Sequence, residues 1–522
     1  MSASREKKSR QELAGTDYVD PKAVREEEQR QAEKRSNRLY LAIAVIFVIV
    51  TVVSIAWKSN FFQKKATALT IDGQEYTAAE VNYHFQQIYQ SFVSQNYSYV
   101  SYLGLDTSTD LRDQVYFASE DGTTWFDYFM DQTEQQMITV QALNDAAAAD
   151  GFTWTDELQA SLDANMESLK ESVSASGYYT SFSQYLTSFY GSTMTEKVFT
   201  EQTKATMLAQ AYANEYAAGL SYSDAELEAL YAASPESYDK VAYQSIRISG
   251  TAPSTTDADG NTVEATEEEK AAAMDSAKAA AEKLYAELEA GKDLETLSAE
   301  SDDYYFTDST GTSYYAGDTL GEWLFDDARK AGDTALLEDE STSAYYVVAF
   351  GERFREDYNT VAVRHILVDV DESSLDSSAD TYEADLQTKK DEALAEAEAL
   401  LAQWKSGEAT EESFAAMANE YSSDPGSNTT GGLYSQFPKG YMVEEFNDWC
   451  FDPARKNGDT GIVYGESTSY KGYHIMYFVD TDLPYWQVTA TSNLMNEDVS
   501  AWYAEKTEGY TAEQQNGIRY VG

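Results

Sequence analysis

One cysteine, three histidines and 37 basic residues are all that this chain of 522 residues holds of those groups. The lone cysteine, Cys450, rules out an intrachain disulfide and any metal site built from cysteines. Its neighbours Trp449 and Phe451 point to a buried structural thiol rather than a nucleophile. It also lies too far along the chain to be a lipid-bearing cysteine near the start. The 37 Lys and Arg stand against 90 Asp and Glu, a net charge of −53. Nucleic acid is thereby excluded as a partner, because neutralising phosphates needs clustered cations. The acidity reads as solubility and mutual repulsion between molecules. No glycine-rich phosphate loop occurs, and no cofactor is expected.

What is present supports packed domains. The apolar fraction is 43%, with 40 Tyr, 21 Phe and 8 Trp, so cores can form. At roughly 150 residues per domain the length suits three or four units. Residues 39–57 (LYLAIAVIFVIVTVVSIAW) carry no charge, and such a run crosses a membrane as a helix. Tyr40 and Trp57 sit near its ends, where aromatic rings favour the interface. Residues 1–38 hold 10 basic and 8 acidic residues, and everything after residue 57 holds 27 and 82. That asymmetry places a short tail in the cytoplasm and the bulk outside, single-pass, with the cytoplasmic membrane lipid as one partner. An outer region almost free of cysteine suits a bacterial envelope.

Residues 67–75 read as a hairpin around Asp72-Gly73, a type I′ turn signal. Thr77 and Glu80 form a capping box opening a helix through Val81, His84, Ile88 and Phe92. The pattern stays mostly helical to about residue 235, with an alanine run at 146–149 and a second box at Ser223 and Glu226. His84, with no cysteine or second histidine nearby, is expected at the surface or half-buried. A repeat follows. Val-Ala-Tyr-Gln-Ser245-Ile-Arg-Ile matches Val-Ala-Val-Arg-His365-Ile-Leu-Val at an offset of 120 residues. The segment from Trp323 to Thr334 matches that from Trp449 to Thr460 at an offset of 126. Helical segments in both copies stop at Gly291 and Gly407, expected C-terminal caps. A strand, helices and further strands make each copy a compact α+β unit. The expected division is a tail (1–38), a span (39–57), a helical domain (58–235), two α+β copies (236–355 and 356–485) and a segment 486–522 packing back near residues 66–71.

The copies differ where chemistry would sit. The second has His365 and His474, while the first has Ser245 and, after a two-residue gap, Tyr346. The first also lacks the segment holding Asp424 and Gly431-Gly432. Duplication followed by loss of a site accounts for this. By spacing alone the two histidines also fit ordinary polar core residues. A metal site made of them and Asp424 is the weaker reading, and no metal is expected. Asp257, Asp259 and Gly260 read as a hairpin tip, since glycine comes too early for a calcium loop. Glu267–Glu269 reads as a solvated first helical turn.

Arg364-His365-Ile-Leu-Val, Ser413-Phe-Ala-Ala-Met, Tyr421-Ser-Ser-Asp424, Gly431-Gly432, Phe437-Pro-Lys-Gly440-Tyr-Met442, Phe446 and Gly472-Tyr-His474-Ile stand in this order. Together they resemble the parvulin (PpiC-type) peptidyl-prolyl isomerases over about residues 358–482. Residues 236–355 resemble the same domain in degenerate form. The helical segment more loosely resembles the chaperone domain of the SurA and PrsA type foldases. The resemblance implies a fold with a membrane helix, a helical chaperone domain and two tandem α+β domains. It further implies a pocket with His365 and His474 stacked at its floor and Asp424 beside them. Met442, Phe446 and Phe437 would receive the proline ring. The family usually reads Gly-Gly-Asp-Leu-Gly where this chain has Gly431-Gly432-Leu433-Tyr434-Ser435, so Tyr434 takes the leucine slot and Leu433 the aspartate slot, and the resemblance implies both as substrate-binding residues of the pocket. The function implied is isomerisation of X–Pro bonds in unfolded or exported polypeptides, with chaperone activity. A non-catalytic peptide-binding scaffold is the second reading.

Overall fold

The computed structural model describes residues 44–51, 61–256, 262–468 and 470–522. Residues 44–51 are helical, and the rest of the 39–57 run lies outside the described residues, as does the Asp257–Gly260 tip. Among the described residues no helix is long and apolar enough to cross a membrane. The chain groups into two units, residues 1–220 with 498–522, and residues 221–497.

In the first unit, β1 (Thr67–Ile71) and β2 (Gln74–Thr77) pair antiparallel. Asp72 and Gly73 turn between them at φ 44° and 81°, the type I′ geometry that matches strand twist. Thr77 gives its N–H to the Glu80 carboxylate at 2.7 Å, opening α1 (Ala78–Gln95). Then come α2 (Trp125–Ala149), α3 (Asp156–Ser176), α4 (Phe182–Phe189) and α5 (Glu196–Gly219). Leu69, Val81, Phe85, Trp125, Phe129 and Met130 bury one core between the hairpin, α1 and α2. His84 lies in that helical layer and is 1% exposed, against the expectation of a surface or half-buried position. The cause is tertiary: α5 brings Gln202 to 3.2 Å from His84 Nε2, giving a buried ring a polar partner.

Residues 512–514 pair with the far edge of β1, making a three-stranded sheet. Val521 is buried in the same core, and Arg112 donates to its carbonyl at 2.6 Å. Gly517 passes so near β1 that an added Cβ would lie 2.5 Å from the Thr67 carbonyl oxygen. Deleting residues 508–522 is therefore expected to destabilise this unit by about 4 kcal/mol, from the lost apolar burial and the bared strand edge. A thermal melt of the truncated chain checks this, and an unchanged transition counts against it.

In the second unit, α6 (Asp224–Ala233) starts at a capping box between Ser223 and Glu226. Its Leu227 packs with Tyr238, Trp486 and Ala490, which is why residues after 220 group with the sheets. The first copy holds β3 (Asp239–Ser249), a small ribbon of β4 (Thr255–Thr256) and β5 (Thr262–Val263), then α7 (Glu267–Glu289) and α8 (Leu294–Ser298). It continues with β6 (Tyr304–Thr312), α9 (Thr319–Leu324), β7 (Thr334–Asp339) and β8 (Ala344–Arg355). The second holds β9 (Asn359–Asp369), α10 (Tyr382–Ser406), α11 (Glu411–Tyr421), β10 (Leu433–Phe437), α12 (Glu444–Cys450), β11 (Thr460–Glu466) and β12 (Lys471–Pro484). A last helix, α13 (Tyr485–Thr507), follows. The sheet orders are β6-β3-β8-β7 and β10-β9-β12-β11, the same topology twice.

In each copy two helices cover one sheet face and a short helix covers the other. Ile366, Ile475, Ala397 and Phe414 fill one side of the second sheet, and Val363, Phe446, Cys450 and Met476 fill the other. β9 is buried on both faces, which explains its near-continuous apolar sequence. Gly291 follows α7 at φ 97°, as a left-handed cap should. Gly407 does not: its φ is −89°, and Ala409 takes the positive value, 50°.

Candidate functional site

His365 sits opposite Met476 on the neighbouring strand, and His474 sits opposite Leu367. The two histidines are therefore diagonal neighbours on one face, since side chains alternate along a strand. Their rings stack with centroids 5.2 Å apart and planes 29° apart, and the two Nδ1 atoms meet at 3.0 Å. Phe446 on α12 sets its edge or face against both rings, with centroids at 5.4 and 5.2 Å. Both imidazoles are buried, at 3% and 4% exposure.

Asp424 comes from the loop after α11. Gly426 N–H donates to its Oδ1 at 3.0 Å, holding the turn closed. Three groups converge on Oδ2: His365 Nε2 at 2.9 Å, the Ser427 hydroxyl at 2.6 Å and the Tyr434 hydroxyl at 3.0 Å. The His365 hydrogen bond first, helped by Ser427 and the Gly426 N–H against burial, holds this carboxyl well below the ordinary range. Burial and then Asp424 push Tyr434 up to about 12, so its hydroxyl keeps its proton.

These partners fix the tautomers. A carboxylate only accepts, so His365 carries a proton on Nε2, and in the neutral ring its Nδ1 is then an acceptor. His474 must then donate from Nδ1, which leaves its Nε2 to accept from Tyr470 Oη at 3.1 Å. The chain of donors runs Tyr470 to His474 to His365 to Asp424. Burial first, and then the neighbouring His365, lowers the His474 pKa to about 3, so this ring is neutral at ordinary pH.

The glycine pair has a steric reason. Gly432 lies at φ 70°, and an added Cβ would sit 2.2 Å from the His365 carbonyl oxygen. Only glycine allows this crossing, in which His365 N–H donates to the Gly432 carbonyl at 2.9 Å.

A cavity of about 440 Å³ opens over the histidines. Leu367, Met442, Val443 and Phe446 form apolar wall, and Asp369, Asp424, Tyr434 and Tyr470 form polar wall. Of the residues expected at the site, His365, His474, Asp424, Tyr434, Met442 and Phe446 line this cavity. Phe437 does not line it: it is 4% exposed and packs beneath Phe446, with ring centroids 6.2 Å apart. Leu433 does not line it either, because strand alternation turns it from the face that Tyr434 occupies. Ser427 and Tyr470 are site residues that the sequence reading missed. Their spacing, three residues after Asp424 and four before His474, is a usable signal only once the turns are known. Among the described residues no group of three or more His, Cys, Asp or Glu could hold a metal ion. Burial pushes the Cys450 thiol pKa up, so it stays protonated and inert.

Residues 348–481 match the family model described as the PPIC-type PPIASE domain. This chain carries a parvulin domain. Among curated proteins, the foldase protein PrsA of Caldanaerobacter subterraneus is 28% identical over 231 residues, covering 43% of this chain and 63% of that one. Foldase protein PrsA 4 of Bacillus cereus is 41% identical over 69 residues, 13% of this chain and 23% of that one. The chain thus spans less than two thirds of these relatives' own length. The solved foldase protein PrsA of Streptococcus pneumoniae is similar at 11% identity and a TM-score of 0.20, covering 74% of this chain and 90% of that one. At that score the likeness says nothing about how the chain is arranged.

The register places the first copy's residues against those of the parvulin domain. Ser245 pairs with Val348 where His365 pairs with Met476. Tyr346 lies between Arg247 and Leu337 where His474 lies between Leu367 and Val463. The link between α8 and β6 spans residues 299–303, against 422–432 between α11 and β10, so the turn bearing the carboxylate has no counterpart.

Acid should weaken the fold through its buried imidazoles. The pKa of His84 is lowered from 6.5 to about 4, with burial the first cause, and that of His474 to about 3. The unfolded chain takes up these protons below about pH 6.5 and the folded chain does not, so stability falls as pH drops from there toward 4. At pH 5 the expected loss is about 2 kcal/mol for each histidine. Urea midpoints at pH 7 and 5 check this, and a His84→Gln variant should lose one share of the slope. Equal slopes for variant and parent would overturn the assignment.

Proposed function

We propose that the parvulin domain isomerises X–Pro bonds in unfolded or exported polypeptides and that the whole chain acts as a foldase. The observation that carries this reading is the pair of buried, stacked imidazoles under a cavity lined by both apolar and polar side chains. An X–Pro bond turns slowly because amide resonance sets a barrier of about 18–20 kcal/mol. Its cis and trans forms differ by only about 0.5–1 kcal/mol, so the catalyst needs no nucleophile or cofactor. It must bind the twisted amide better than either planar form.

Met442 and Phe446 suit the proline ring. The donors around the floor are spent on one another: Tyr434 and Ser427 on Asp424, and Tyr470 on His474. A carbonyl lodged there meets few free donors. Twisting removes resonance and lowers negative charge on that oxygen, so a donor-poor site favours the twisted state. The histidines act by holding this frame, with no proton passed to substrate.

Localisation rests on sequence. The uncharged run at 39–57 and the charge asymmetry support a single span with the bulk outside, where exported chains are the clients. The first copy, with the same topology but Ser245 and Tyr346 in the histidine places, supports a second role as a peptide grip without catalysis.

The whole chain should accelerate cis–trans exchange of a short X–Pro peptide. His365→Ala or His474→Ala should lower kcat/KM by about a hundredfold, the scale seen when one preorganised group is removed. No acceleration by the parent chain overturns the enzymatic reading. Suppression of client aggregation without exchange would favour the binding role.

A further inference from the structure

A second polar cavity lies in the first unit, far along the sequence from the parvulin domain. It has a volume of about 230 Å³ between β2, α1, α2 and α5. His84 and Gln202 are buried in its wall, and Gln74 and Asp145 are exposed beside it.

Hydrogen bonds fix which atoms are left over. Gln202 gives its Nε2 to the Glu80 carboxylate at 3.5 Å, so its Oε1 faces His84 Nε2 at 3.2 Å. An amide oxygen only accepts, so His84 carries its proton on Nε2, and its Nδ1 is a bare lone pair. That atom is buried and has no partner, in a side chain 1% exposed. Asn144 gives its Nδ2 to the Ala205 carbonyl at 3.1 Å, which fixes the amide the other way round. Its buried Oδ1 also has no partner. Gln141 donates to the Ile71 carbonyl at 3.2 Å and accepts from the Tyr76 hydroxyl at 2.9 Å. The wall has thus used its donors and kept its acceptors. Asp145 adds a carboxylate beside them. Buried acceptors without donors are costly and rare in native folds, so such a site calls for an occupant that donates.

We infer that this cavity binds an alkylammonium or guanidinium group, with His84 Nδ1, Asn144 Oδ1 and the Asp145 carboxylate as its acceptors. Such groups carry several donors and no acceptor, which matches the wall. The cavity has room for one such head and its methylene stem. A chain of net charge −53 also attracts cations to it. The group can come from a Lys or Arg side chain of a client polypeptide or from a free amine.

The test uses the whole chain and the imidazole ¹⁵N signals, which are few because there are three histidines. Butylammonium, butylguanidinium, and short Lys- or Arg-containing peptides without proline are titrated at neutral pH, with n-butanol as the uncharged control. The expected result is a saturable shift of His84 Nδ1 with the cations and none with n-butanol. Asp145→Asn should weaken binding about tenfold, the loss of one charge-assisted contact. Tighter binding of the peptides identifies client side chains as the source, and tighter binding of the simple cations identifies free amines. No shift with any cation means that the cavity holds only water, and equal shifts with n-butanol mean that it does not select a cation; either result overturns the inference.

Discussion

Gly432→Ala is expected to cost the parvulin domain about 3 kcal/mol or more and to abolish isomerisation, by adding one methyl group. Two effects add. A left-handed residue with a Cβ costs about 1–2 kcal/mol. The larger effect is the collision, because the new carbon would sit 2.2 Å from the His365 carbonyl oxygen and 3.0 Å from Ala418 Cβ. Relief requires β10 to move off β9, breaking the hydrogen bond from His365 N–H to Gly432 and moving Tyr434 away from Asp424. Gly440→Ala is the control. Its φ is 78° with nothing within 4 Å of the added carbon, so it should show the conformational cost alone. Denaturant midpoints of the two variants separate the effects. Equal losses would show that the close approach does not matter.

Asp424→Ala is expected to lower kcat/KM about a hundredfold and stability by about 2–3 kcal/mol. The change removes the oxygen on which His365, Ser427 and Tyr434 converge, and it leaves the Nε2–H of a buried ring only the Ser427 hydroxyl at 3.2 Å. Asp424 acts here as a positioning residue, so the informative readout is the tautomer of His365. With the carboxylate gone, Nε2 faces the Ser427 hydroxyl, which can accept or donate, so the imidazole ¹⁵N spectrum should show a mixture. Asp424→Asn keeps one oxygen in place and should fall between parent and alanine in both measures. An unchanged tautomer in Asp424→Ala would falsify the donor chain from Tyr470 to Asp424.

Much of the fold was legible in the sequence because its signals are local or repeated. The capping boxes at Thr77 and Ser223 and the Asp72-Gly73 turn depend on neighbouring residues alone, and the two copies show as a repeated pattern along the chain. The comparison of Ser245 with His365 worked for the same reason, and the strand register places Tyr346 where the sequence put it. The misreadings have a shared cause. The sequence points to a surface or half-buried His84, whereas the ring is fully buried, because its partner, Gln202, lies 118 positions away. Their place in a motif puts Phe437 and Leu433 at the proline pocket. Which face each presents is set by strand alternation and by the packing of α12.

The sequence by itself determined that this chain has two related α+β copies, one of them with a histidine pair, and an acidic stretch after residue 57 with a single cysteine. Periodicity, composition and repetition are one-dimensional, so they survive without a fold. Only the tertiary structure decided which atoms face one another. It set the tautomers of His365 and His474 through Asp424 and Tyr470, recruited Ser427, and left His84 Nδ1 without a partner. Hydrogen bonds depend on distances of a few tenths of an ångström between residues far apart in sequence, and only the packed chain sets those.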